Sequence, residues 1–171
     1  NGLIKKTELQ PIKGIDYYSN KSFYIAHNGN IPNIKNHDTT YIKNLLENEK
    51  DTMENKLIDL INKIPAAFSI IILTSDNVLY AIRDRFGIRP LCIGYDNDKY
   101  YISSESCAFT NNVNYLRDIN PGELIRIDNN GLQSLYTHPK SKLNLCTFEI
   151  LYFLNEKSYV DGLQIKNIRK C

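Results

Sequence analysis

The stretch FYIAHNGNIPN, residues 23–33, contains a short apolar run that ends in residues with polar or very small side chains. The run Phe23–Ala26 is typical of a buried strand. Because Asn and Gly tolerate positive φ, the following residues His27–Asn30 can form a plain turn. The alternative is a bent backbone whose N–H groups, together with the Asn28 amide, point at a developing negative charge. The motif alone leaves both interpretations open.

The whole chain has the composition of a globular protein, with 171 residues of which 42% are hydrophobic and 23% charged. Its length fits one domain, or one domain and a piece of another. A net charge of only +2 without a long basic block gives no support for a nucleic-acid surface. The longest apolar run, Ala66–Leu73, is too short to cross a membrane, and no signal peptide is recognisable. We therefore expect a cytoplasmic protein.

The cysteines and histidines are too widely spaced for a disulfide framework or a zinc site. They are Cys92, Cys107, Cys146 and Cys171, and His27, His37 and His138. Reduced cytosolic thiols are the simplest interpretation.

Since the chain begins with Asn-Gly rather than Met and ends on Lys-Cys, we interpret it as a fragment at both ends.

Two helices and a series of strands are predicted. Residues 1–20 are polar and are expected to form a loop. The first helix follows Asp38, which is a favourable N-cap, and the second runs from Met53 to Lys63 or Ile64, before Pro65. The predicted strands are 22–26, 67–74, 78–83, 91–95, 100–103, 124–127 and 132–136. Two helices with many antiparallel strands indicate an α+β fold.

Three further motifs are weak when each is considered separately. RDRFGIRPL, residues 83–91, concentrates three arginines around Gly87 and is interpreted as a solvated turn paired through Asp84. SSESCAF, residues 103–109, ends a strand and is typical of a helix N-cap, with one helical turn expected at 105–109. INPGELIRI, residues 119–127, is a turn that leads into a strand.

The order of these motifs is far more specific. HNGN, an Asp before a helix, paired strands, RDRFGIRPL, SSESCAF and PGE together resemble the glutaminase domain of class II glutamine amidotransferases. Within that superfamily the chain is most similar to the amidophosphoribosyltransferase family. CTFEILYFLNEKSYVDG, residues 146–162, resembles the start of that family's second domain, where C-x-F/M-E-Y-x-Y-F-x-R-P-D-S-x-x-D-G is usual. The resemblance covers nearly the whole chain from about Gln10.

The resemblance implies a four-layer αββα sandwich of the N-terminal-nucleophile type, with mainly antiparallel sheets. Residues 1–144 would be an N-terminally truncated glutaminase domain. Residues 145–171 would be the truncated start of a phosphoribosyltransferase domain.

The resemblance also implies the chemistry. An N-terminal Cys thiolate attacks the glutamine carboxamide with its own α-amine as base. The released ammonia then displaces pyrophosphate from phosphoribosyl pyrophosphate and gives phosphoribosylamine for purine biosynthesis. Asn28 and Gly29 match the oxyanion-hole pair. Asp38 matches the acid that binds the glutamine α-ammonium, a role in which a carboxylate makes a charge-assisted bond; a pure helix cap is the alternative.

Several positions depart from the family pattern. The nucleophilic Cys and the R-Y-S-T-like arginine motif are absent, and we expect the 171-residue chain itself to be inactive. Thr40 stands where a second acid is usual, and Leu154–Ser158 replaces ARPDS. Cys146 matches a cluster ligand of the iron–sulfur members, but one thiolate cannot hold a cluster, so it is a weak candidate.

The resemblance implies no cofactor in this segment, Mg²⁺ with phosphoribosyl pyrophosphate in the missing domain, and a homo-oligomer as the assembled form. Glutamine and phosphoribosyl pyrophosphate are the expected partners, without nucleic acid or membrane.

Two alternatives stay open. The chain is a glutaminase domain of another class II enzyme, such as asparagine synthetase or glucosamine-phosphate synthase, or it is a degenerate, non-catalytic relative that acts as a binding module. SSESCAF and FEILYF favour the amidophosphoribosyltransferase family over the other class II enzymes. The missing Cys would suit a degenerate relative, but truncation of the chain explains it more simply.

Overall fold

The structure is a computed structural model that describes residues 9–32, 34, 37–110 and 112–170. The strands are β1 (Ile12–Asp16), β2 (Lys21–Asn30), β3 (Ala67–Thr74), β4 (Leu79–Arg83), β5 (Cys92–Asp96), β6 (Lys99–Ser103), β7 (Asn114–Asp118), β8 (Glu123–Asp128), β9 (Gly131–Thr137), β10 (Tyr159–Val160) and β11 (Leu163–Gln164). The helices are α1 (Asp38–Asn48), α2 (Met53–Lys63) and α3 (Ile165–Ile168). A 3₁₀ turn spans Ser106–Ala108, and a π-helical turn spans Glu149–Phe153.

A six-stranded antiparallel sheet in the order β1-β2-β3-β4-β8-β9 forms the centre of the molecule. Side chains alternate between the two faces of a strand. Ile70 and Ile72 of β3 therefore face the same side, where they pack in one buried cluster with Leu57 and Ile61 of α2. The helices α1 and α2 cover this face.

The opposite face carries a second sheet of three antiparallel strands in the order β6-β5-β7. Ala81 of β4 and Ile125 of β8 meet Leu91 and Ile93 there, with Ile71 of β3 packed against them. Helices, large sheet and small sheet thus form consecutive layers. The predicted α+β class with mainly antiparallel sheets is confirmed.

The second predicted helix is confirmed, and the start of the first is shifted by one residue. Thr52 caps α2, since its side chain accepts a hydrogen bond from the Asn55 N–H. In α1 the N-cap position belongs to His37, whose side chain makes no capping bond. Asp38 lies in the first turn instead, and its carboxylate accepts the Ile31 N–H at 2.8 Å. Its prediction as an N-cap is wrong.

The predicted loop at the start of the chain contains a strand. Residues 1–8 lie outside the described residues, but Ile12–Asp16 form β1, which pairs with β2 from Ile12–Ile25 to Asp16–Lys21. A buried ion pair fixes this strand, because Lys56 Nζ lies 2.6 Å from Asp16 Oδ1. Burial opposes ionisation of Asp16, yet hydrogen bonds from Lys56, the Ser19 hydroxyl and a backbone N–H prevail and lower its pKa.

The RDRFGIRPL connection is buried, so its prediction as a solvated turn is wrong. Asp84 is fully buried, and its carboxylate accepts backbone N–H groups from four residues: Phe68 at 3.3 Å, Phe86 at 2.9 Å, Ile88 at 3.1 Å and Arg89 at 3.2 Å. Arg83 is also buried and donates to the carbonyls of Gly87, Arg89 and Ile119 at 2.8, 2.8 and 2.9 Å. The buried charges of Arg83 and Asp84 therefore fix the backbone of the loop through hydrogen bonds.

We predict that Asp84→Ala strongly destabilises the fold. The substitution leaves the N–H groups that bond the Asp84 carboxylate without an acceptor, and each buried donor left unsatisfied costs about 1–3 kcal/mol. Chemical denaturation of both proteins measures the change in the free energy of unfolding. Asp76→Ala is the matched control, because Asp76 pairs with Lys21 on the surface and should change stability little. Equal effects of the two substitutions would contradict the structural role of Asp84.

Candidate active site

The HNGN residues continue a strand. β2 extends to Asn30 and pairs with β3, with Asn28 opposite Ser69 and Gly29 opposite Phe68. Gly29 is not among the glycines with positive φ. The plain-turn interpretation is therefore wrong, and so is the idea of a bent backbone, since the segment is extended.

Position 29 requires a glycine because neighbouring atoms leave no space for a Cβ. A Cβ at this position would lie 2.4 Å from the Ala67 carbonyl oxygen and 2.7 Å from His27 Nε2. Real Cβ atoms do not approach this closely, and the carbonyl belongs to the paired strand, which cannot move away freely. Contacts within the protein thus give a reason for glycine that is independent of any substrate.

The N–H of Gly29 points to the side of β2 on which β1 lies. The His27 N–H donates to the Gln10 side-chain oxygen on the β1 side of β2. Backbone N–H groups alternate in direction along an antiparallel strand, so Gly29, two residues further, directs its N–H to the same edge. Among the described residues, the pairing of β1 with β2 ends at Ile12–Ile25, before it reaches Gly29. A donor at this edge can reach a bound group.

Asn28 lines a cavity of about 250 Å³ on the face of the large sheet opposite to His27. The other lining residues are Arg89, Pro90, Ser104, Glu105, Glu149, Phe153 and Leu154. Arg89 donates to the Glu149 carboxylate across this cavity, while its own Nε is buried without a hydrogen-bond partner. The Asn28 amide therefore lies beside one paired charge and the acid Glu105.

Asp38 lies outside the residues that line this cavity. It belongs to the first turn of α1, on the helix-covered side of the large sheet. Its Oδ2 accepts the Ile31 N–H, so the carboxylate is fixed just after the end of β2. The structure thus places Asn28 and Asp38, two residues of the predicted site, on opposite sides of β2.

A polar network that the sequence analysis missed connects these two parts. Gln10 accepts the His27 N–H, and its Nε2 donates to Thr39 Oγ1 at 3.2 Å. Thr39 is fully buried, and its Oγ1 lies 3.4 Å from His27 Nδ1. The network joins β2 at the HNG residues to α1 beside Asp38. Gln10 lay in a predicted loop and Thr39 on a helix face, so no sequence signal singled them out.

His27 is held neutral in this network. Burial is the main cause that lowers its pKa from 6.5 to about 4, and the charge of Asp38 opposes this shift without cancelling it. Because Thr39 Oγ1 accepts from Gln10, its hydroxyl proton is free to donate to His27 Nδ1. The other ring nitrogen, Nε2, is buried and has no hydrogen-bond partner among the described residues.

Residues 145–170 pack on the small sheet and have their own apolar cluster of Leu154, Val160 and Ile165. The divergent LNEKS residues make specific contacts, because the Asn155 N–H and the Ser158 hydroxyl both donate to Glu105 at 2.6 and 2.9 Å. The Tyr159 ring stacks on Tyr115 of β7 with centroids 5.5 Å apart.

Cys146 is not surrounded by further metal-binding side chains among the described residues. Its side chain is half-buried, and the described part of the chain contains no group of three or more His, Cys, Asp or Glu side chains that could hold a metal ion. Within the described ranges Cys146 is therefore a single thiol, whereas an iron–sulfur cluster needs four ligands. None of the helices in the described ranges is long and apolar enough to span a membrane.

A family model for the glutamine amidotransferase domain matches residues 4–111. The chain belongs to this family. The amidotransferase domain is similar to amidophosphoribosyltransferases from several kingdoms. It is 29% identical to the Bacillus subtilis enzyme, over 89% of this chain and 35% of the relative. It is 32% identical to the Methanocaldococcus jannaschii enzyme, over 85% of this chain and 38% of the relative.

Solved structures show the same fold. Glutamine phosphoribosylpyrophosphate amidotransferase from B. subtilis, complexed with ADP and GMP, superposes with a TM-score of 0.87 at 27% identity, over 97% of this chain and 40% of that chain. A structure described as the allosteric regulatory enzyme of purine biosynthesis gives 0.84, also at 27% identity. The chain thus spans 35% to 40% of these relatives. It is homologous to their glutaminase portion, which favours this interpretation over the asparagine synthetase and glucosamine-phosphate synthase alternatives.

We predict that His27→Gln reduces the pH dependence of stability between pH 7 and pH 5. Between the ordinary pKa of 6.5 and the folded value of about 4, the unfolded chain binds a proton that the folded chain does not. Stability is therefore lost as the pH falls through this window, by about 2 kcal/mol at pH 5. Denaturation of both proteins at the two pH values measures the difference. An identical loss in the variant would show that His27 is not the responsible group.

Proposed function

We propose that this domain is the glutaminase part of an amidophosphoribosyltransferase, which transfers the amide nitrogen of glutamine to phosphoribosyl pyrophosphate and yields phosphoribosylamine. One observation carries the proposal beyond the family. The Asn28 cavity is bordered on its far side by Glu149, Phe153 and Leu154, which belong to the segment predicted to begin the transferase domain. The glutamine-binding end of β2 thus faces the part of the chain that leads to the acceptor.

Asn28 and Gly29 are the proposed oxyanion donors. Attack on the glutamine carboxamide by a nucleophile produces a tetrahedral intermediate with a negative oxygen. The Gly29 N–H is a preorganised donor, because the β3 pairing fixes the backbone of β2. The Asn28 side-chain N–H₂ beside it is the second proposed donor. Preorganised donors stabilise a developing charge without reorganisation during the reaction.

Asp38 is the proposed partner of the glutamine α-ammonium. One carboxylate oxygen accepts the Ile31 N–H, which fixes the orientation of the group. The second oxygen is proposed to accept from the ammonium, and the opposite charges strengthen this bond. The Gln10–His27–Thr39 network sets the position of this carboxylate relative to Gly29.

The proposed domain division is 1–144 for the glutaminase domain and 145–171 for the beginning of the transferase domain. The separate apolar cluster of residues 145–170 supports it. The Arg89–Glu149 ion pair then links the two domains beside Asn28.

We predict that Asn28→Ala in the full-length enzyme separates two activities. Loss of one oxyanion donor lowers glutamine-dependent turnover about 10²–10³-fold in kcat. Ammonia-dependent synthesis should stay near the wild-type rate, because free ammonia bypasses the glutaminase site. Steady-state assays with glutamine and with ammonium chloride measure both.

Asn30→Ala is the matched control for this experiment. Asn30 lies two residues along the same strand and therefore on the same face, but it has no assigned role, so both activities should persist. Equal loss of both activities in Asn28→Ala would indicate a folding defect, and full retention of both would remove Asn28 from the oxyanion hole.

We predict that Asp38→Asn raises the glutamine KM far more than it destabilises the fold. The ammonium loses a charged partner, a loss of about 1.5–3 kcal/mol, or roughly 10- to 100-fold in binding. The amide oxygen of Asn can still accept the Ile31 N–H, so the free energy of unfolding should change little. Kinetics in the full-length enzyme and denaturation measure the two effects. An unchanged KM would leave Asp38 with only its structural role.

A further inference from the structure

Arg85 is the one arginine of RDRFGIRPL that the fold and the proposed site do not use. Arg83 is buried beneath the loop, and Arg89 pairs with Glu149. No carboxylate among the described residues forms an ion pair with Arg85. Its guanidinium stacks instead on the neighbouring Phe86 ring, with Cζ 4.7 Å from the ring centroid.

A cavity of about 430 Å³ lies beside this guanidinium. Its lining consists of Arg85, Phe86, His138, Pro139 and Lys140, and we call it the Arg85 pocket. The lining contains two permanent cations and one histidine but no acid. It shares no residue with the Asn28 cavity.

Backbone hydrogen bonds fix the two walls of the Arg85 pocket relative to each other. The Lys142 N–H donates to the Arg85 carbonyl at 3.1 Å, and the His138 N–H donates to the Gly122 carbonyl at 3.0 Å. The Gly122 N–H in turn donates to the Asp84 carbonyl at 2.9 Å. Both walls are therefore anchored on the same buried loop, so the cationic groups are held together by the fold.

The hydrogen-bonding groups of the pocket are donors. The Lys140 N–H donates to His138 Nδ1 at 3.1 Å, so the neutral imidazole carries its proton on Nε2 and remains a donor. Arg85 Nε is buried and has no hydrogen-bond partner. Such unpaired buried donors are rare in native proteins.

We propose that the Arg85 pocket binds the phosphate group of a small phosphorylated metabolite. Several donors beside two permanent cations suit a phosphate, and the planar guanidinium can donate to two of its oxygens. Phe86 and Pro139 offer an apolar wall to the rest of such a ligand. The nearest acid of the loop, Asp84, does not oppose binding, because it is fully buried and its oxygens already accept four backbone N–H groups. The site is independent of the proposed glutaminase function.

The 171-residue chain can be titrated with inorganic phosphate at constant ionic strength, with backbone amide resonances recorded by NMR. We expect saturable shifts confined to residues 85–86 and 138–142. Arg85→Gln should weaken phosphate binding about tenfold or more, the effect of a lost charge-assisted bond. Lys140→Gln should weaken it severalfold.

Lys99→Gln is the matched control, since it removes the same charge from the exposed hairpin at the start of β6 and should leave binding unchanged. Arg85→Gln removes the stacking on Phe86 but no side-chain hydrogen bond made with the described residues, so its unfolding temperature should stay close to that of the wild type. If that variant is unstable, the phosphate affinity of the exposed Lys140→Gln decides. The absence of saturation, or equal weakening by all three substitutions, would overturn the proposal.

Discussion

The buried Asp84 carboxylate is the interaction on which the rest of the structure depends. A buried charge is tolerated only when hydrogen bonds satisfy it, and here the donors are N–H groups from the loop and from Phe68 of β3. Asp84 also donates its own N–H to the Phe68 carbonyl at 2.9 Å. Phe68 lies directly opposite Gly29, so the same carboxylate fixes the strand that holds the candidate oxyanion donors.

The alternation of side chains along β2 divides the candidate site. His27 points to the helix layer, where burial keeps it neutral and Thr39 and Gln10 connect it to α1. Asn28 points to the other face, into the cavity with Arg89 and Glu149. One strand can therefore present an oxyanion donor on one side and locate the acid Asp38 from the other. This arrangement requires that one face of β2 is covered by the helices and that its other face borders the cavity.

The C-terminal residues are attached to the same framework through charge and polar contacts. Glu105 accepts from Asn155 and Ser158, and Arg89 of the Asp84 loop pairs with Glu149. The segment therefore contacts both the loop and the edge of the small sheet. A displacement of residues 149–154 would change the cavity beside Asn28, which gives the structure a direct physical connection between the glutaminase part and the chain that follows it.

The sequence by itself determined the elements whose evidence is local. The spacing in α2, the apolar run of β3 and the order of the motifs were sufficient for the helix, the strand and the family. Only the tertiary structure decided the rest. HNGN forms a strand because β3 pairs with it. Asp84 is tolerated as a buried charge because N–H groups of its own loop and of Phe68, 16 residues away, converge on it. β1 likewise depends on the contact of Asp16 with Lys56, 40 residues away, and the Gln10–His27–Thr39 network joins residues 12 to 29 positions apart. In the sequence, a run of polar side chains predicts a loop. In the folded chain, such side chains can be buried when a partner from another part of the chain forms hydrogen bonds with them.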